Sequence, residues 1–451
     1  MNRIKIDMPN YAKKIIDKLT DNGYDAYLVG GCVRDSIIDK KPNDWDITTS
    51  ALPNQVKRLF TKTIDTGLQH GTVTILMDKH PIEVTTYRID GEYEDNRRPN
   101  SVEFTNNLVE DLKRRDFTIN AMAYNHITGL VDAFGGIEDL EKGIIRCVGN
   151  PIERFNEDAL RMLRAIRFSA QLGYKIDSET RDAITECSSL IKNVSMERIQ
   201  VELNKTLISN NPNMIMEIYN CNLMEYIIPE FIPCIGNSQN HPYHSYDIHE
   251  HILRSVNAIK ADKALRWTML LHDIGKPRVK TTDELGIDHF YGHEVISAEM
   301  AKDILKRLKF DNKTINKVVK LIQFHNIRLE NSQKSIRRLL RKLGHELFDD
   351  FVLVQRADIK AQNLDKLDDR MFKLDNAEKK YAEIKEREQC ISIRELKVNG
   401  RDLMEYDIKE GRQIGIILNK LLDIVIEEPS RNDKQELLRI VDEIKDKNNC
   451  N

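Results

Sequence analysis

Asp44 and Asp46, two carboxylates separated by a single residue, are the first side chains in this 451-residue sequence whose type and spacing suit chemistry. On a strand such residues project from the same face, a geometry suited to a shared divalent cation. Mg²⁺ prefers carboxylate oxygens together with substrate phosphates. Two such ions about 4 Å apart activate an attacking hydroxyl and stabilise a leaving pyrophosphate. An ordinary acidic turn has the same spacing, so the pair gains meaning only from its neighbours. Upstream lies Gly30-Gly31-Cys32-Val33-Arg34-Asp35, where glycines let backbone amides approach a phosphate and a helix start favours negative charge. Turns of this kind also join strands to helices with no ligand involved. Glu83, on a later β-branched run, offers a third carboxylate.

Further along, the arginines of Arg154-Phe155-Asn156-Glu157-Asp158-Ala159-Leu160-Arg161-Met162-Leu163-Arg164-Ala165-Ile166-Arg167-Phe168 recur every third residue, placing guanidinium groups on neighbouring faces of a helix. A solvated basic face with Asp158 offsetting Arg161 is one reading. A carboxylate beside an arginine has a second use. Asp accepts from an exocyclic amine while Arg donates to ring nitrogens and carbonyls, so the pair can imitate a base-pairing edge. A third constellation spans 241–358: His249 and His251, then Leu270-Leu271-His272-Asp273-Ile274-Gly275-Lys276-Pro277, then His293, His325 and Asp358. Imidazoles and carboxylates together suit a transition metal that lowers the pKa of a bound water; histidines packed in a helical core are the alternative.

The elements that must position these residues are legible in outline. Tyr11, Ile15, Ile16 and Leu19 recur at helical spacing and stop at Asn22-Gly23. Ala26–Val29, the glycine turn and Val33–Ile38 read as strand, turn and helix, and Thr72–Met77 and Ile82–Tyr87 as strands. The first 145 residues are therefore α/β, and from Pro151 the pattern turns helical and stays so. A highly charged helix near 364–389 is expected to be exposed, and the basic amphipathic stretch Lys334–Lys342 suits either a phosphate track or a solvated face over a leucine seam.

Composition sets the frame. Charged residues make up 31% of the chain and hydrophobic ones 40%, with 20 glycines and 12 prolines, which fits several folded, helix-rich domains. A formal charge of −3 means that any nucleic-acid binding must come from local basic surfaces. The seven cysteines are odd in number, scattered and free of CxxC pairs, which argues against a disulfide framework or zinc ribbon and fits a reducing cytoplasm. No stretch approaches the ~20 apolar residues of a membrane span, and the N-terminus lacks an apolar signal core, so neither membrane insertion nor secretion is expected.

Together, glycine turn, paired acids and third acid are the parts that metal-assisted nucleotidyl transfer needs. The stretch LVGGCVRDSIIDKKPNDWDITTSALP at 28–53 resembles the head of the class II tRNA nucleotidyltransferase and bacterial poly(A) polymerase family. That resemblance implies a polymerase-beta-like mixed sheet in an α/β head, followed by a mostly helical neck, body and tail. It places Gly31 and Arg34 on the triphosphate and makes Asp44 and Asp46 the Mg²⁺-binding acids, with Glu83 still the candidate third catalytic carboxylate. Lys113-Arg114-Arg115-Asp116-Phe117-Thr118-Ile119-Asn120-Ala121-Met122-Ala123 resembles the family's next block, with Arg115 at a nucleotide-contacting position. In the arginine-rich block the family assigns base reading to Asp158 and Arg161, their orientation to Glu157, and nucleotide binding to Arg164 and Arg167.

Within the family, the segment YRIDGEYEDNRRPNSVEF at 87–104 resembles the loop that CCA-adding and A-adding enzymes carry, which disfavours a CC-adding enzyme. Ala159, where bacterial poly(A) polymerases often have proline, tilts toward a tRNA enzyme. CCA addition from CTP and ATP is the expected activity, with A addition and poly(A) synthesis left open. The stretch Val398-Asn399-Gly400-Arg401-Asp402-Leu403-Met404 through Gly411 and Gly415 resembles the family's tail, which implies a grip on the tRNA elbow. The histidine-rich stretch is similar to the HD phosphohydrolases. Their ligand positions fall on His251, His272, Asp273 and Asp358, with His293 and His325 at positions used by two-metal members and Mn²⁺, Ni²⁺ or Fe²⁺ as the implied metal. An HD phosphohydrolase with a merely nucleotide-binding head is the rival reading. The expected layout is a head at 1–145, a neck at 146–240, an HD domain at 241–362 and a tail at 363–451.

Overall fold

The computed structural model describes residues 4–91, 101–240, 246–330, 332–362, 367–387, 389–406, 408 and 411–449. The chain divides into two compact units, Met1–Ile232 with Arg307–Phe310, and Pro233–Lys306 with Asp311–Asn451.

In the first unit, α1 (Asn10–Asp21) buries Ala12, Ile15, Ile16 and Leu19 along one stripe, as the periodicity requires. β1 (Ala26–Val29) ends at Gly30, whose φ of 78° and ψ of −132° exclude a side chain, and the chain turns at once into α2 (Gly31–Ile37). β2 (Ile47–Thr49), α3 (Pro53–Leu59), β3 (Thr63–Gly67), β4 (Thr72–Met77) and β5 (His80–Thr86) follow. The hairpin of β6 (Arg88–Asp90) and β7 (Val102–Phe104) stands apart from the main sheet; the segment 92–100 of the family's loop lies outside the described residues. After α4 (Leu108–Lys113), β8 (Met122–Asn125) and β9 (Gly129–Asp132) complete a seven-stranded sheet in the order β3-β4-β5-β2-β1-β8-β9. Only β2 and β5 run parallel, so the sheet is mixed, as expected.

Helices then take over: α5 (Gly136–Lys142), α6 (Pro151–Glu157), α7 (Leu160–Leu172), α8 (Ser178–Glu186), α9 (Met196–Leu207), α10 (Ile215–Asn220) and α11 (Met224–Ile227). The arginine-rich block is two helices, not one. Asn150 caps α6 by accepting from the amides of Ile152 and Glu153. Asp158, with φ of −141° and ψ of 101°, breaks the run before α7.

The second unit is helical. It comprises α12 (Ile248–Ala258), α13 (Lys263–Leu271), α14 (Lys276–Val279), α15 (His293–Arg307), α16 (Asn312–Phe324), α17 (Gln333–Leu343), α18 (His345–Lys360), α19 (Leu367–Glu386), α20 (Gly400–Glu405), α21 (Arg412–Glu427) and α22 (Lys434–Asn449). Asp247, Asp262 and Asp311 cap α12, α13 and α16 through their side chains. α13 is buried from Ala264 to Leu271, with Trp267 fully enclosed. The charged helix expected to be exposed, α19, instead buries Leu374, Ala377, Tyr381 and Ile384 at helical spacing; its charges concealed a narrow apolar stripe. Several cations of the basic helix α17 pair with acids at the protein surface: Lys334 and Arg338 with Glu427, and Arg341 with Asp423.

Arg337, buried on the same helix, donates from Nε to the carbonyl of Ile426 at 2.8 Å, from Nη2 to that of Glu427 at 3.4 Å, and from Nη1 to Gln389 Oε1 at 3.0 Å. It therefore closes the C-terminus of α21, where carbonyls lack helical partners. Arg337→Met strands these acceptors and should cost about 2 kcal/mol. The change should read as a lower Tm with faster amide exchange in 412–427; wild-type exchange there would refute the capping role.

Candidate active site and a second side-chain cluster

The three acids of the head converge. Asp44 and Asp46 lie in the extended segment just before β2 rather than within a strand. The parallel pairing of β2 with β5 begins at Ile47 and Val84, so Asp46 and Glu83 immediately precede paired residues, and each acid lies within electrostatic reach of the other. Burial raises the Asp46 pKa to about 6, with Asp44 and Glu83 adding to the rise and Arg115 opposing it. A carboxylate site that crowded is short of positive charge, which is the condition a divalent cation relieves. Behind it, the thiol of Cys32 donates to the Val29 carbonyl at 3.4 Å and is pushed up to about 11, chiefly by burial, so it serves packing and not reactivity.

Gly31 opens α2, and Arg34 on that helix donates to Asn120 Oδ1 at 2.6 Å and pairs with Asp35. Arg115 lies against the glycine turn: a Cβ on Gly30 would stand 3.3 Å from its Nη1. Asp116 accepts from Asn120 Nδ2 at 3.1 Å and from both Nε and Nη2 of Arg164, at 2.8 and 2.5 Å. Burial works to raise its pKa, but Arg164, Asn120 and Arg161 together outweigh burial and hold it well below the usual carboxylate range. Arg34, Arg164 and Arg167 all face the ring of Phe168, at 5.0, 5.5 and 3.9 Å from its centroid. Cation–π attraction thus ties α2 of the head to α7.

The residues expected to read a base are separated by the break between α6 and α7. Arg161 pairs with Glu157, and its Nη2 donates to the Arg114 carbonyl at 3.0 Å. Asp158 pairs with Arg198 at 2.8 Å, and Arg167 with Glu202 at 2.5 Å, both partners lying on α9. Asp158 and Arg161 thus each have a tether of their own. Sequence reasoning missed Asp111, Asn120, Phe168, Arg198 and Glu202. Glu202 had a signal, since it stands among Ile199, Leu203 and Thr206 on the buried face of α9, where an unpaired carboxylate is costly.

In the second unit the chain brings together all six residues assigned to the HD cluster. His272 and Asp273 follow directly from buried α13, His251 comes from α12, Asp358 from α18, His293 opens α15 and His325 ends α16. His251 Nε2 lies 3.0 Å from Asp358 Oδ1 and 3.3 Å from Asp273 Oδ2, and His272 Nε2 3.3 Å from Asp273 Oδ2. His293 and His325 approach the other oxygen, Oδ1, at 3.3 and 3.6 Å. Asp273 thus stands between two groups with the spacing of metal ligands. Each imidazole bonds through Nδ1 to a backbone carbonyl: His251 to Ala361, His272 to Met269, His293 to Phe290 and His325 to Ile322, at 2.6–3.2 Å. A carbonyl only accepts, so Nδ1 carries a proton and Nε2 is the nitrogen that faces inward, toward the carboxylates. Gly275 permits this closure, because a Cβ there would meet the Ser297 amide at 2.7 Å and hold α15 away. Burial disfavours charge on His272, yet Asp273 and Asp358 raise its pKa to about 10. Carboxylates that draw a proton this strongly draw a cation for the same reason. His249 points elsewhere, to Asp247 at 2.7 Å.

Comparison with known proteins agrees with the head and its neighbours. The Poly A polymerase head domain family matches residues 26–146, the probable RNA and SrmB-binding site of polymerase A matches 173–235, and the putative tRNA nucleotidyltransferase domain 2 matches 281–441. The CCA-adding enzyme of Ligilactobacillus salivarius is 35% identical over 96% of both chains. That of Lactiplantibacillus plantarum is 51% identical over 201 residues, 45% of this chain and 49% of its own. The crystal structure of Bacillus stearothermophilus CCA-adding enzyme in complex with CTP superposes with a TM-score of 0.72 at 27% identity, covering 98% of this chain and 100% of that one. The Thermotoga maritima enzyme complexed with tRNA shares the fold, with a TM-score of 0.59 at 20% identity over 98% and 97% of the two chains. With its acids, glycine turn and arginines assembled on the mixed sheet, and its likeness running nearly end to end, the chain belongs to the CCA-adding enzyme family, among the class II tRNA nucleotidyltransferases and poly(A) polymerases.

Proposed function

We propose that this protein adds C, C and A to the 3′ end of tRNA, taking CTP and ATP as substrates without a nucleic-acid template. The observation that carries the reading is the convergence of Asp44, Asp46 and Glu83 beside Arg115 and the glycine turn, in a chain matching CCA-adding relatives along almost its full length. The 3′ hydroxyl oxygen attacks the α-phosphorus, the bond to the β-phosphate oxygen breaks, and pyrophosphate leaves. Asp44 and Asp46 would hold Mg²⁺, with Glu83 beside them; when bound, it supplies positive charge that lowers the pKa of the hydroxyl and neutralises the departing pyrophosphate. Gly31 presents backbone, and Arg34, Arg115, Arg164 and Arg167 present guanidinium groups, to the triphosphate.

Asp158 and Arg161 form the base-reading pair, oriented by Arg198 and Glu157. Cytosine and adenine both carry an exocyclic amine, so a carboxylate acceptor serves both and rejects uracil. The layout is head 1–145, neck 146–240, HD domain 241–362 and tail 363–451, the tail holding the tRNA elbow. No helix among the described residues is long and apolar enough to cross a membrane, and the six described cysteines are free and buried, which fits work in the cytoplasm.

A second reading concerns the HD cluster. The inward-facing Nε2 atoms around Asp273 favour a bound pair of divalent cations such as Mn²⁺, Ni²⁺ or Fe²⁺. His251, His272, Asp273 and Asp358 would form one site, and Asp273, His293 and His325 the other. When bound, such ions supply a water of lowered pKa for attack on a phosphate, a secondary phosphohydrolase activity.

Three experiments test these readings. Given Mg²⁺, CTP and ATP, the purified protein should extend a tRNA transcript lacking CCA by three nucleotides and stop, and Asp46→Asn should lose at least about 10³-fold in rate. A single A added only to a CC-ended transcript would establish an A-adding enzyme, and long A tails a poly(A) polymerase. The acid limb of the rate should fall near pH 6, because protonated Asp46 cannot bind a cation, and more Mg²⁺ should move that limb to lower pH; a limb indifferent to Mg²⁺ would contradict the assignment. Metal analysis should find transition metal bound to the wild-type chain and lost on His272→Ala with Asp273→Asn, while equal contents in both would dismiss the HD reading.

A further inference from the structure

The carboxylate of Asp111, on α4, is fully buried and receives more donors than any group so far given a role at the head site. Its Oδ1 accepts from Arg114 Nε at 2.9 Å and Nη2 at 2.7 Å, and from the Arg88 amide at 3.3 Å. Its Oδ2 lies 3.1 Å from the Thr48 hydroxyl and 3.4 Å from Arg115 Nη2. Each donor belongs to a different part of the site. Thr48 is on β2, immediately beyond the acids; Arg88 opens the β6–β7 hairpin; Arg115 stands between the glycine turn and Asp46. Arg114 reaches further, to Asp90 at 3.7 Å, and its carbonyl accepts from Arg161.

We propose that Asp111 is a positioning residue for nucleotidyl transfer, fixing the acid-bearing strand, Arg115 and the hairpin base in one register. The two arginines are held unequally, and that asymmetry is informative. Arg114 makes the short two-pronged contact and anchors the carboxylate. Arg115 makes one long contact, enough to aim its guanidinium past Gly30 while leaving its other donors for a phosphate. One carboxylate facing two guanidinium groups also leaves net positive charge where the triphosphate must sit. Burial alone would raise the Asp111 pKa, but Arg115 and Arg114 bring it below the ordinary value, so the hub stays ionised at neutral pH.

This inference rests on the transfer activity proposed above, and the tests separate the two. Asp111→Asn keeps the shape and removes the charge. It should raise KM for CTP and ATP alike by about tenfold, by freeing Arg115, and lower kcat by a similar factor. In a double-mutant cycle, Asp111→Asn with Arg115→Ala should have no higher nucleotide KM than Arg115→Ala alone, because both changes act through one guanidinium. Thr48→Val, which removes a single hydroxyl, should lower kcat and raise the Mg²⁺ needed for half-maximal rate, with nucleotide KM unchanged; it also serves if Asp111→Asn fails to fold. Effects of Asp111→Asn and Arg115→Ala that multiply, a lower Tm with wild-type kinetics, or Thr48→Val with wild-type Mg²⁺ dependence would each overturn the positioning role. A wild-type protein that extends no tRNA would remove the functional reading itself, and this inference with it.

Discussion

Concentrating guanidinium groups without neutralising them is the constraint on which the head and the helices behind it depend. Arg34, Arg114, Arg115, Arg161, Arg164 and Arg167 all serve one region of the first unit. Two such charges about 5 Å apart repel by about 3 kcal/mol at an effective dielectric of about 20. A cluster of that kind folds only if each member has an acceptor, yet it can bind a triphosphate only if acceptors do not consume every donor. Each member has an acceptor: Asn120 and Asp35 for Arg34, a shared Asp111 for Arg114 and Arg115, Glu157 for Arg161, Asp116 for Arg164 and Glu202 for Arg167. The ring of Phe168 lies under three of the guanidinium groups and attracts them without cancelling their charge.

The same requirement explains why the helical region following the sheet belongs to the site. α9 has no chemistry-bearing motif, but it supplies Arg198 to Asp158 and Glu202 to Arg167. The break at Asp158 frees its side chain from the helical repeat, so that it and Arg161 are oriented by different neighbours. The base-reading role proposed for them would need this independence, because two groups locked to each other would satisfy their own hydrogen bonds and leave none for a nucleobase.

In the second unit the arrangement is reversed: bases are fixed by acceptors behind them and converge on acids. Four imidazoles, each with Nδ1 bonded to a carbonyl, present Nε2 to Asp273 and Asp358 in a buried cluster. Backbone carbonyls at helix ends set the tautomers, so the ligand geometry is built into the helix termini and not left to flexible side chains.

Much was already decided by the sequence. The helix of Asn10–Asp21, the strand–glycine–helix order at 26–37, the three acids and the members of the buried histidine–aspartate cluster could be picked out from local pattern, because periodicity, a glycine turn and metal-type residues are properties of short stretches. The true lengths of the elements were less legible. Asp158 interrupts what periodicity reads as one helix, and the stripe through Leu374, Ala377, Tyr381 and Ile384 is narrow enough for surrounding charge to hide. Only the tertiary structure decided the partners. That Lys334, Arg338 and Arg341 pair with Glu427 and Asp423 depends on residues more than 80 positions away in the chain. That Asp111 meets Thr48 and Arg88, and that Glu202 meets Arg167, follows from strand register and helix packing. The physical reason is that a charged side chain acquires its role from the charge it is buried against, and burial brings together residues that sequence spacing leaves far apart.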